Sequence, residues 1–200
     1  MVSAGDFDGQ AHELIPADVR MLSGCQDSQT SADVSNVSAF QLPDPKGRSG
    51  GACTSALLKV LYNEDTNNSN SGLTFVQVLT RMPSVLKQGK YSQIPQLSAS
   101  RKIDVNDDFA VVPENFSGTK RAVLVGINYV GQKGELSGCH NDVGNIKDYL
   151  VNVQGFQEQN ITILMVSPPF AIDLSKVLLC AIFTLVHYAE HLPHFYLFDL

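Results

Sequence analysis

KRAVLVGINYVGQKGELSGCHNDVGNIKDYLVNVQGFQEQNITILM, residues 120–165, decides the fold. It opens on a continuous apolar run, 122–129 (AVLVGINY), interrupted only by Gly126. That pattern predicts a central strand of a parallel sheet, covered on both faces. A glycine-rich loop follows, and then residues 141–153 place Val143, Ile146, Leu150 and Val153 on one helical stripe. Asn141 or Ser137 is expected to cap this helix, with Asp142 in its first turn and Gly155 ending it. Residues 161–165 (ITILM) read as the next strand. Strand, helix and strand in this order form a βαβ unit with parallel strands. The fold class is therefore α/β, a mostly parallel sheet flanked by helices.

Working outward toward the N-terminus, residues 19–22 (VRML) read as a buried strand that Ser23-Gly24 stops. The polar stretch 24–33 is an exposed loop, and 37–51, rich in Pro and Gly, is a second loop. Residues 52–62 (ACTSALLKVLY) have helical spacing. Thr74 and Gln77 have the spacing of a capping box at the start of another helix. Pro83 is expected to kink or split that helix near Met82. Residues 93–98 (QIPQLS) are extended, and Pro95 limits them to an edge or irregular strand. Residues 101–118 read as a linker. Past Met165, Pro168-Pro169 stops regular structure. Residues 173–192 then look helical and apolar on nearly every face, with no further strand expected. The apolar stretch 177–186 is shorter than the roughly 20 residues a membrane span needs, and reads as a buried helix.

The chain has 200 residues, 44% of them hydrophobic and 17% charged, which fits one globular domain. A net charge of -6 provides no basic surface for nucleic acid. Four cysteines and an N-terminus without a signal pattern point to a reducing compartment, the cytoplasm.

Several local patterns exclude common chemistries. Gly126, Gly131, Gly134 and Gly138 do not have dinucleotide-fingerprint spacing, and no P-loop Lys-Ser/Thr follows them. Cys139 and the adjacent His140 cannot supply the four ligands of a tetrahedral metal site. Taken alone, Asp142 is a first-turn carboxylate favouring the helix dipole. Asp6 and Asp8 lack the remaining ligands of a calcium loop and read as a turn.

Two blocks carry a family resemblance. GINYVGQKGELSGCHND (126–142) resembles the start of the large subunit of metacaspases, which are caspase-like cysteine peptidases. LSGCQDSQTSAD (22–33), followed by GGACTSALL and YSQIPQLS, resembles their small subunit. The resemblance implies an incomplete caspase-like (caspase-haemoglobinase) fold. It divides the chain into a small-subunit-like region (1–100), a linker (101–118), the start of a large-subunit-like domain (119–165) and an unassigned apolar tail (166–200). This order is the reverse of the usual one and resembles type III-like members.

By motif position, Cys139 and Asp142 would line the pocket for the substrate residue before the cut bond. The carboxylate there selects Arg or Lys through charge-assisted hydrogen bonds. Asp27, Gln29, Ser31 and Asp33 would border the cleft. The family's Ser-Gly-His-Gly and Asp-x-Cys-His-Ser-Gly turns are not found, so no catalytic residue is assigned. Cys180, His187, His191 and His194 offer no oriented dyad, and the family's calcium ligands are not identifiable. The implied function is cysteine-type endopeptidase, with this chain a truncated or inactive form. The alternative is a non-catalytic module that binds a partner, such as a full-length paralogue, through an open sheet edge.

Overall fold

A computed structural model describes residues 9, 18–66, 72–112, 116–166 and 194–199. The expected helix 173–192, with Cys180, His187 and His191, lies outside these residues.

Strand β1 (Asp18–Ser23) is the middle of a three-stranded sheet. β4 (Gln96–Ala99) pairs with it antiparallel, on the edge that Pro95 predicts. On the other side lies β7 (His194–Asp199), parallel to β1 and in register from Asp18↔His194 to Ser23↔Asp199. This strand corrects the expectation of none after Met165. Its partner lies 176 residues back (Asp18↔His194), and no local pattern announces a pairing of that range.

A small ribbon joins β2 (Asp33–Val34) to β3 (Gly50–Gly51). The stretch read as loop between them contains a 3-10 turn, Val37–Phe40. Helix α1 (Ala52–Thr66) follows directly. All seven residues from Ala52 to Leu58 are at most 2% exposed, so its first two turns are buried all round. Helix α2 (Phe75–Gln88) opens with the expected capping box between Thr74 and Gln77. It runs unsplit through Pro83, so of the kink or split expected there the split does not occur. Met82 and Leu86, both fully buried, anchor the helix on either side of the proline and offset its missing donor.

Leu57, Leu58 and Leu61 of α1 meet Phe75, Val78 and Met82 of α2 in the main core. Residues 101–118 are more than a linker. The backbone N–H groups of Phe75 and Val76 donate to the carbonyls of Asp107 and Val105. Phe109 is buried edge-on against Phe75, with ring centroids 5.4 Å apart.

The βαβ unit is present as β5 (Ala122–Ile127), α3 (Cys139–Asn152) and β6 (Ile161–Val166), with β5 and β6 parallel. Among the described residues β5 pairs with β6 alone, and Val125 is 42% exposed, so they do not show the covering of both faces that the apolar run predicts. α3 covers the Gly126 face, where an added Cβ would lie 2.9 Å from Val143. Val125, Ile163 and Met165 remain 38–45% exposed. Neither Asn141 nor Ser137 caps α3: Gly138 takes the cap position without a side-chain bond. Both side chains are engaged elsewhere, as described next. Gly155, at φ 67°, turns the chain after the helix, and the Phe156 N–H returns to the Leu150 carbonyl.

Candidate functional site

The N-terminal end of α3 lies against the β2–β3 ribbon and the start of α1. Gly138 approaches so closely that a Cβ there would fall 2.6 Å from the Gly50 nitrogen and 2.7 Å from its carbonyl carbon. Only glycine permits this crossing. Polar contacts surround it. Asp33 Oδ2 accepts from the N–H (2.8 Å) and Oγ (2.7 Å) of Ser137. Asn141 Nδ2 donates to the Ser49 carbonyl and Oγ, and Ser49 Oγ donates to the Ser137 carbonyl. Further along, the Lys46 N–H donates to Asn145 Oδ1, and its ammonium pairs with Asp148.

Asp142 sits in the middle of this seam. Its Oδ2 accepts from the Gly51 N–H at 2.7 Å, and the Thr54 side chain adds a bond. A Cβ on Gly50 or Gly51 would meet the two carboxylate oxygens at 2.9 Å, so the Gly-Gly pair makes room for the carboxylate. Asp142 Oδ1 is buried and has no hydrogen-bond partner. Burial pushes the Asp142 carboxyl up from 3.8 to about 6, and the nearby Asp33 adds to the rise; Gly51 and Thr54 oppose it. None of these groups is cationic. A buried carboxylate with an open lone pair beside a second carboxylate suits a guanidinium or ammonium group.

The cysteines here are poor nucleophiles. Burial raises the Cys139 thiol, and Asp142 and Asp33 raise it further. Burial pushes Cys53 up to about 12. A thiol that stays protonated at neutral pH does not attack a carbonyl readily, so Cys139 fits a wall rather than a reacting group.

Three of the residues expected from the sequence, Cys139, Asp142 and Asp33, come together. Asp27 and Ser31 are exposed on the loop between β1 and β2. The bonds holding the carboxylate pair come from Ser137, Gly51 and Thr54 instead. Sequence reasoning does not single out Gly50, Gly51 and Thr54, although a Gly-Gly step before a helix is a visible sign of close approach. Among the described residues no group of three or more His, Cys, Asp or Glu could hold a metal ion, and no helix is long and apolar enough to cross a membrane.

A parallel strand pair flanked by a helix, with a polar cluster at the N-terminus of that helix, defines an α/β protein. Comparison with known proteins narrows this. The caspase domain model matches residues 5–105, and the metacaspase, peptidase C14 domain model matches residues 120–189. The second match continues past Met165 into the stretch left unassigned above. Over 160 residues the chain is 57% identical to "Metacaspase III c" of Phaeodactylum tricornutum (strain CCAP 1055/1), covering 80% of this chain and 47% of that protein. Over 102 residues it is 40% identical to "Metacaspase-5" of Trypanosoma cruzi (strain CL Brener), covering 51% of this chain and 21% of that one. The chain belongs to the metacaspase family of caspase-domain (peptidase C14) proteins, and spans less than half the length of these two relatives.

Proposed function

We propose that this chain carries the basic-residue pocket of a metacaspase-type cysteine endopeptidase. Asp142, with Asp33 beside it, receives the Arg or Lys side chain that precedes the cut bond. Cys139 walls the pocket, and the loop bearing Asp27 and Ser31 borders the cleft. The observation that carries this reading is the buried, unpartnered Oδ1 of Asp142 next to a second carboxylate. Burial leaves this oxygen with an unmet demand that a cationic side chain fills, in a contact worth roughly 1.5–3 kcal/mol. In a complete peptidase of this class a histidine-activated thiolate attacks the scissile carbonyl. No such pair is assigned here, so the chain alone binds basic peptides without cutting them. No cofactor is proposed. The free Cys25, Cys53 and Cys139 support a reducing, cytoplasmic setting.

The test is binding of Nα-acetyl-arginine amide to the full chain, followed by 13C NMR of the Asp142 carboxyl, with the norleucine amide as neutral control. We expect binding of the arginine compound only, and its loss in Asp142→Asn. Equal binding of both compounds, or of neither, overturns the reading. Cleavage of an arginine reporter that Cys180→Ala abolishes would overturn the non-cutting part.

A second reading, a non-catalytic module docking on a full-length paralogue, is favoured by the exposed Val125, Ile163 and Met165 on β5 and β6. Co-sedimentation with such a paralogue, lost in Val125→Asp, would select it.

A further inference from the structure

Two glutamines interlock beneath the loop that leads to the carboxylate pair. Gln93 is 4% exposed, in the irregular segment before β4. Its Nε2 donates to the Gly24 carbonyl and its Oε1 accepts from the Ala32 N–H, both at 3.0 Å. Gly24 and Ala32 are the two stems of the loop, so one side chain holds it closed. Gln29, within that loop, makes the converse arrangement. Its Nε2 donates to the Ser92 carbonyl at 2.7 Å and its Oε1 accepts from the Ile94 N–H at 2.9 Å. Ser92 and Ile94 are the residues on either side of Gln93. Each amide thus uses a donor and an acceptor on the backbone flanking the other.

The bonds continue toward the site. The Ala32 carbonyl accepts from the Ala52 N–H at 2.9 Å, at the start of α1. The preceding N–H, that of Gly51, donates to Asp142 Oδ2. Asp33 follows Ala32 directly in the chain. A continuous run of backbone and amide groups therefore leads from Gln93 to both carboxylates, and Gln93 touches neither. A buried primary amide is costly unless its polar atoms are satisfied. Gln93 meets that condition by fixing two backbone points at once, which an apolar residue of its size cannot do.

We propose that Gln29 and Gln93 are positioning residues that set the spacing of Asp33 and Asp142, so that one cationic side chain can meet both. The inference rests on the reading that this pair receives a basic residue. It goes beyond that reading by placing control of specificity in a segment outside the pocket.

The experiment uses the full chain and the variants Gln93→Leu, Gln93→Glu and Gln29→Leu, with thermal unfolding to establish that each is folded. The readouts are the titration midpoint of the Asp142 carboxyl by 13C NMR and the affinity for Nα-acetyl-arginine amide as a function of pH. Gln93→Leu and Gln29→Leu are expected to move the midpoint from about 6 toward 4 as the carboxylate gains water, and to weaken binding at least tenfold. Gln93→Glu keeps the acceptor for Ala32 but loses the donor to Gly24, and should fall between wild type and Gln93→Leu. A folded Gln93→Leu or Gln29→Leu protein with an unchanged midpoint and affinity overturns the proposal. Should Gln93→Leu not fold, Gln29→Leu, whose side chain is partly exposed, decides the matter. Should the wild type not bind the arginine compound, the pocket reading fails, and the Asp142 midpoint in Gln29→Leu still decides the positioning role.

Discussion

The two halves of the site come from regions built very differently. The region from β1 through β4 closes on itself. α1 and α2 bury each other's apolar faces, and Phe109 returns from residues 101–118 to seal Phe75. The β5–α3–β6 unit has one covered face and leaves Val125, Ile163 and Met165 in solvent. Its link to the main core runs through α3, where Tyr149 meets Tyr62 edge-on at 5.2 Å. The carboxylate central to the site, Asp142, belongs to the thinner unit and is held by Gly51 and Thr54 of the denser one. Precision at the site is thus imported: a rigid half orients a residue that the other half supplies.

This contrast can be broken at its strongest point first. Leu57, 1% exposed between α1 and α2, should lose about 2–5 kcal/mol on substitution by Ala in urea unfolding. Val125→Ala, on the open face, should lose only about 0.5 kcal/mol in the same assay. Comparable losses would mean that the thin unit is packed as tightly as the dense one.

The next effect is electrostatic and lies on the seam. The folded-state pKa of Asp142, about 6, is above its ordinary 3.8. The folded protein therefore holds this proton more tightly than the unfolded chain. The stabilising contribution is fully present below about pH 4 and is lost as pH rises through 6, by at most about 3 kcal/mol. Asp142→Asn should flatten this part of the pH–stability curve. Binding of a cationic side chain needs the ionised form, so affinity should rise over the interval in which stability falls. A stability curve unchanged by Asp142→Asn would contradict the assignment.

The smallest effect sharpens the comparison within the dense region. Thr74→Ala removes half of the capping box and should lower stability by about 1 kcal/mol. Hydrogen exchange should show the loss in the first turn of α2, leaving α3 unchanged.

What the sequence disclosed follows the range of each interaction. The capping box spans three residues, and the strand after Pro95 and the elements of the βαβ unit each show in their own local pattern, so all were legible. Pro83 does not split α2, because its penalty is local while the burial of Met82 and Leu86 on either side of it is tertiary. Asn141 and Ser137 have the right chemistry to cap α3, but Ser49 and Asp33, roughly 90 and 100 residues away, engage them instead. The strand His194–Asp199 does carry a signal in Phe195, Tyr196 and Phe198, aromatic residues suited to a sheet. Its pairing with β1 could not be read locally. In the site, Cys139, Asp142 and Asp33 were visible through motif position. Thr54 and Gln93 were not, because a polar residue beside an apolar run carries no mark of the distant backbone it serves.

Asp142 has a second occupation. Its Oδ2 terminates the amide array at the beginning of α1, so it acts as that helix's anion from 90 residues away. The side chain is therefore also a structural tie between α3 and the segment that opens α1. Replacing Asp142 by an apolar residue would leave the Gly51 N–H without its acceptor, whatever else the residue does.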